Sequence, residues 1–429
     1  MAKTFNEVKI PFTNMSFTPD VPSSALGANE YNAGYNIETD VRGIRSVFGD
    51  EYILENFATA GVVGVPIFVT SGYRGISNPV YWFIFATVDG SGNGRWYGQN
   101  SAGVTELTPS GGLTGYYEGM PITDCWNGTV LFVNDSVTAP MYLLSNGNAL
   151  RKYDTPYGDQ TPNTYTWNYN PDWSALTAGW MRLYSTPNVG SILVAGNLSA
   201  TLLDGVTVVN YPVTVQWSQA FGLNQAPSTW EPTITNIANQ VEVPLRGPAL
   251  DSFPSNGQFF LCSFWDTVVF SPINYSTTSA PILGIRQFNQ GRGLLSANCW
   301  ANTDKLVYGL DARDVWVFDG QDFQGLGNQR VKNWLFDQLD PQYYGRVFME
   351  VNSQRSQVEI YYPDKDAIDG VPNKMLSYRY DLDIWNAPRD VDSATMTTES
   401  PIWLLQGDNW VSNYGSRTVV YARGRTNRK

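Results

Sequence analysis

Apolar and aromatic residues in this chain come in runs of strand length, fenced by Gly, Asn, Asp or Pro, and outside a few short stretches they show no helical period. Residues 80–85, 128–133, 191–195, 213–217, 258–262, 266–270, 314–318 and 357–362 are such runs. The pattern predicts strand pairs joined by turns. The better-defined pairs recur at roughly 40 to 50 residues, the scale of a propeller blade. One unit runs from Leu294 through Lys305 and turns at Asp311-Ala312-Arg313-Asp314 before closing at Gly320; the next runs from Val347 to Trp385. Earlier candidates are residues 67–107, 123–153 and 183–230.

The expected fold is therefore all-β, a β-propeller-like body of about five to seven blades with long inter-strand loops. Tandem β-sandwiches are the alternative, with a break expected near the Pro- and Asn-rich residues 155–172. The aromatics of that stretch fit either a partner-docking loop or a loop covering its own domain. Residues 1–55 read as an N-terminal strand segment closing or leading into the propeller, 56–416 as the body and 417–429 as a basic tail. One helix is expected over 328–339, with Val331, Leu335 and Leu339 on one face and Pro341 as its stop.

Composition agrees with the pattern. The 39 Gly, 25 Pro, 15 Trp, 25 Tyr and 20 Phe, with only 15% charged residues, favour strands and tight turns over helices. A net charge of −12 argues against wrapping nucleic acid with the whole surface. The charge is also segregated. The last thirteen residues hold Arg417, Arg423, Arg425, Arg428 and Lys429 and no acid, leaving 22 basic and 39 acidic groups before them. The tail is expected to dock on an acidic face of a neighbouring subunit or ring. Trp403 and Trp410 are expected either to anchor a subunit contact or to fill the last blade's core.

Candidate chemistry is sparse. The chain contains no histidine, which removes the Ser-His-Asp and Cys-His mechanisms and His-bound zinc. Cys125, Cys262 and Cys299 lie far apart beside aromatic residues and read as small buried hydrophobes, consistent with folding in a reducing cytoplasm. The loop from Asp89 to Gly94 matches the first half of a calcium loop but has Asn100 at its twelfth position, so a Gly-rich hairpin tip fits better. The acidic stretch 364–370 also misses calcium spacing, and Gly291-Arg292-Gly293 offers no phosphate-binding fingerprint. The repeated Asp-containing turns of sialidase propellers are absent. No catalytic, metal or cofactor residues are assigned. Neither a signal peptide nor a stretch of about 20 apolar residues is evident, so a soluble protein with no membrane insertion is expected.

Several segments resemble the tail-hub or nozzle proteins of short-tailed bacteriophages, the tail tubular protein B and packaged-DNA stabilisation proteins. Asn32-Ala33-Gly34-Tyr35-Asn36-Ile37 and the basic segment Arg42 to Gly49 are similar to that family's opening. Trp217-Ser218 with Pro227-Ser228-Thr229-Trp230 resembles its "tryptophan-serine, then proline-x-x-tryptophan" blade. Val268 to Pro272, Gly291 to Leu295, Val315 to Gly320 and Arg330-Val331 then follow in the family's order. The resemblance implies a non-enzymatic virion protein, assembled in the bacterial cytoplasm into a ring of six propeller-bearing subunits. That ring would meet an adaptor ring above and a needle or tip below, with fibres or spikes nearby, and double-stranded DNA would pass without sequence-specific binding. The competing readings are a carbohydrate- or receptor-binding tail module, which needs exposed aromatic platforms, and a glycosidase, which needs a carboxylate pair in a deep pocket.

Overall fold

The structure is a computed structural model that describes residues 13–46, 60–153, 165–186, 190–273, 282–303, 305–353, 355–367 and 370–391, with strand segments 395–397, 403–406, 409–412 and 419–421. Near the start, β1 (Ser16–Phe17) runs parallel to β2 (Glu30–Tyr31), and β3 (Ile37–Asp40) forms a hairpin with β4 (Gly43–Ser46).

Six antiparallel sheets follow. Blade 1 holds β5 (Val65–Arg74), β6 (Val80–Val88), β7 (Asn93–Asn100) and β8 (Gly103–Glu106), with the short β9 (Leu113–Thr114) also on β7. Blade 2 holds β10 (Thr123–Asn127), β11 (Val130–Asn134), β12 (Met141–Leu143) and β13 (Arg151–Lys152). Blade 3 holds β14 (Trp173–Thr186), β15 (Gly190–Leu202), β16 (Val208–Trp217) and β17 (Asn239–Glu242). Blade 4 holds β18 (Asp251–Ser255), β19 (Gln258–Cys262), β20 (Thr267–Ile273) and β21 (Ile282–Asn289). Blade 5 holds β22 (Trp300–Asn302), β23 (Val307–Leu310), β24 (Val315–Phe318) and β25 (Phe323–Gly325). After α1 (Lys332–Gln338) and a 3₁₀ segment (Pro341–Arg346), blade 6 holds β26 (Phe348–Asn352), β27 (Gln357–Tyr362), β28 (Lys374–Arg379) and β29 (Ile384–Trp385), with β30 (Arg389–Asp390) also on β28. Beyond it, β31 (Thr395–Thr397) pairs with β34 (Val419–Tyr421), and β32 (Trp403–Gln406) with β33 (Asn409–Ser412).

Each sheet is a meander whose strands pair in chain order, and the first strands of five blades line one axial cavity. The fold is a six-bladed β-propeller. The continuous apolar runs of the sequence follow from this. In a strand successive side chains point to opposite faces, so a blade sandwiched between two others needs apolar residues at both parities. In β11, Leu131 and Val133 join a core shared with blade 1, while Val130 and Phe132 join one shared with blade 3. In β19, Phe259 and Leu261 face blade 3, and Phe260 and Cys262 face blade 5.

The abundance of both Gly and Trp has one local cause. Trp180 sits directly opposite Gly196, and Trp316 directly opposite Gly309. Each indole lies over its glycine so closely that an added Cβ would meet ring carbon at 2.5 Å and 2.1 Å. The absent side chain is what lets a fully buried indole lie flat across the neighbouring strand.

The tandem-sandwich alternative is corrected by this topology, because residues 165–172 do not separate two cores. Trp167 is wholly buried, stands edge-on to Trp230 at 4.6 Å and donates its indole N–H to the Leu176 carbonyl at 2.8 Å. This part of the stretch covers its own domain; residues 154–164 lie outside the described residues. Blade 3 begins at Trp173 rather than Leu183, and blade 4 was not recognised as a unit, although two of its strands were. The expected helix is shorter, starting at Lys332, but Val331, Leu335 and Leu339 are buried as expected. The α-helix ends before Pro341, as expected, with Leu339 and Asp340 extended; Pro341 then opens a separate 3₁₀ segment, where Asp340 accepts from the Gln342 N–H at 2.9 Å.

Candidate functional site

The axial cavity measures about 410 Å³ and is bordered by β5, β10, β14, β22 and β26. A belt of polar side chains, each on the first strand of its blade or next to it, ties the blades together around this axis. Arg182 on β14 is its centre. Its guanidinium makes a two-pronged contact with Asp251 on β18, Nε to Oδ1 at 2.9 Å and Nη2 to Oδ2 at 2.7 Å. It also donates to the Asp124 carbonyl on β10 at 3.0 Å and to Asn298 Oδ1, just before β22, at 2.7 Å. One side chain thus bridges four blades.

Asp251 is completely buried and fully engaged: it accepts further from the Ser252 and Asn298 N–H groups and from the Trp300 indole at 2.8 Å. The Trp300 ring lies 5.2 Å from the guanidinium carbon. Burial works against the charge on Arg182, but the attraction and hydrogen bonds of Asp251, with Asp124 and Cys125 adding to them, together hold the guanidinium's pKa above its ordinary value. Desolvation raises the pKa of the Asp124 carboxyl, while the Thr70 hydroxyl and Arg182 pull it down less strongly. Asp124 accepts from Thr70 on β5, which in turn accepts from the Trp126 indole at 3.0 Å. Asn298 holds φ +65°, a conformation asparagine tolerates better than most residues, and its amide donates to the Ile122 carbonyl at 3.0 Å.

Such an arrangement braces the blades against one another. The Arg182 guanidinium and the buried Asp251 carboxylate are spent on each other, and among the described residues no group of three or more acids and cysteines could hold a metal. A second cavity of about 570 Å³ adjoins the first, sharing Gly119, Pro121, Ala297, Gly345 and Arg346.

The residues singled out from sequence lie elsewhere. Trp403 and Trp410 belong to the β32–β33 pair, where Trp403 is in register with Ser412 and Leu405 with Trp410. Arg417, Arg423, Arg425, Arg428 and Lys429 lie outside the described residues. The Asp89 loop is a hairpin tip between β6 and β7: the carboxylate accepts from the Ser91 and Asn93 N–H groups and from the Asn93 amide, all within 2.9 Å. Those loop bonds lower the Asp89 pKa.

Sequence reasoning missed the belt although a signal was present. Asp124-Cys125-Trp126, on the first strand of blade 2, and Asn298-Cys299-Trp300, leading into the first strand of blade 5, repeat one pattern. In both, the indole reaches back to the preceding blade's first strand and the polar residue meets Arg182.

No family model matches the chain, and no curated protein matches it. Similar solved structures include the computationally designed protein Ika8, 8% identical, covering 83% of this chain and 96% of that one, with a TM-score of 0.39. They also include the fungal lectin of Aleuria aurantia, described as a six-bladed β-propeller with a novel mode of fucose recognition. It is 9% identical, covering 74% of this chain and 92% of the lectin, with a TM-score of 0.31. At these scores neither adds to the blade count, which rests on the strand topology.

Proposed function

We propose that the chain is a structural, non-enzymatic subunit of a short-tailed bacteriophage virion, one of six propellers packed into the ring-shaped nozzle through which double-stranded DNA leaves the particle. The observation that carries this reading is the ordered run of tail-hub-like segments. They fall on the N-terminal hairpin, blades 3 to 5 and the turn before α1, so the resemblance spans the scaffold rather than one loop.

The physical properties of the molecule support a passive role. Its own axis is cross-braced, so any conduit would be the opening enclosed by neighbouring subunits. The proposed partners are further copies of this chain, an adaptor ring above, and a needle or tip with fibres or spikes below, in a particle built in the host cytoplasm. The basic tail is the proposed contact for an acidic neighbouring face. Blade 3 supplies a further candidate contact, because its long hairpin ends in Leu203, Val206 and Val208, which are 68%, 82% and 56% exposed. A saccharide-binding role would draw on exposed aromatic platforms. Among the described residues the exposed large aromatics are Trp265, Tyr35, Tyr73 and Tyr117, while seven tryptophans are fully buried.

Sedimentation of the purified chain over a concentration series, with and without an adaptor-ring protein, tests the proposal. The expected species has six times the 47.8 kDa chain mass, and Val206→Asp should shift it toward monomer with an unchanged melting temperature. A chain that stays monomeric throughout, adaptor present, contradicts it.

A further inference from the structure

Among the described residues, five of the six neighbouring blade pairs share an apolar core, and the pair formed by blades 6 and 1 does not. Blades 1 and 2, 2 and 3, and 3 and 4 each have one, and a larger core runs through blades 4, 5 and 6. The remaining face of blade 1 presents Val69, Tyr81, Phe83, Phe85 and Tyr97, and that of blade 6 presents Phe348, Tyr361 and Met375. These sets form separate clusters, yet Phe83, Phe85 and Tyr361 have no exposed surface. Some part of the chain other than the opposite blade must cover them. Ala60 and Val62, on the way into blade 1, cover a portion.

The strands β31 and β34 run beside β5, the first strand of blade 1. Their register pairs Thr395 with Tyr421 and Thr397 with Val419, while β32 and β33 pair Trp403 with Ser412 and Gln406 with Asn409. The second pair nests within the first in sequence, in the order expected of a C-terminal hairpin with β31 and β34 at its base.

We infer that the base of this C-terminal hairpin, β31 with β34, is inserted at the seam between blades 6 and 1 and closes the propeller. The sixth interface is then a docked strand pair rather than a blade-to-blade core, and it is the one place where the ring can be opened without breaking a shared core. Arg423 follows β34 by two residues in the sequence. The inference rests on packing within one chain and does not depend on the proposed virion role.

A protease recognition sequence placed at residues 392–394 of the full chain, cut after folding, separates the hairpin covalently while leaving it in place. The expected result is that the fragment co-elutes with the propeller in native buffer. Removing it in mild denaturant should produce binding of an anilinonaphthalene dye and loss of amide protection in β5, or aggregation. Val69→Thr, which places a hydroxyl on the blade 1 face, should weaken retention about tenfold while blades 2 to 5 keep their protection. Release of the fragment on cutting, with β5 protection and dye binding unchanged, overturns the inference. So does retention that Val69→Thr leaves unaltered.

Discussion

Glu359 illustrates how much a single residue can reveal about packing. It is 1% exposed on the seam face of blade 6, where the Tyr361 hydroxyl donates to one carboxyl oxygen at 2.7 Å and the Asn352 amide to the other at 3.2 Å. Burial raises its pKa, and Arg389, Tyr361 and Arg355 offset this only in part. A carboxyl whose pKa is higher folded than unfolded holds its proton more tightly when folded. Its contribution to stability is therefore fully present below the unfolded value of about 4.3 and is lost as pH rises through the folded value. Glu359→Gln should be more stable than wild type at pH 8, with the difference shrinking on acidification. Urea unfolding at a series of pH values checks this, and a difference independent of pH would contradict it. Nothing in the sequence around Gln357-Val358-Glu359 marks the residue as buried, since alternation on a strand gives an acid and its apolar neighbours equal claims to either face.

Elements were more legible than their boundaries. Strand runs such as 80–85 and 357–362 could be read because blades bury both faces, and the units at 294–320 and 347–385 because tight turns punctuate them. Blade 3 was misplaced at its start because Trp173 to Ala178 alternates weakly, its burial depending on Trp167 and Trp230 from remote loops. The axial belt was hidden for a similar reason: Arg182 and Asp251 are separated by 69 residues and meet only once the blades assemble. Their pairing is a tie between elements. Asp251→Ala should cost about 3–5 kcal/mol, because it leaves a guanidinium only 11% exposed without its partner. Arg182→Met with Asp251→Leu should recover much of that loss. Chemical denaturation of the two variants decides the point, and a double variant no better than Asp251→Ala would show that the belt contributes more than charge pairing.

At the scale of the whole molecule, six blades tied together by a polar belt around the axis make a stiff module, and such a module suits the proposed role in a larger ring. In the proposed ring, the exposed apolar end of the blade 3 hairpin is a surface that a neighbouring copy would cover. The most direct test is a symmetry-resolved electron image of the assembled protein. The account predicts six copies around an opening wide enough for duplex DNA, with the propeller axes themselves closed. A solitary propeller, or a ring whose central opening is too narrow for a duplex, would contradict it.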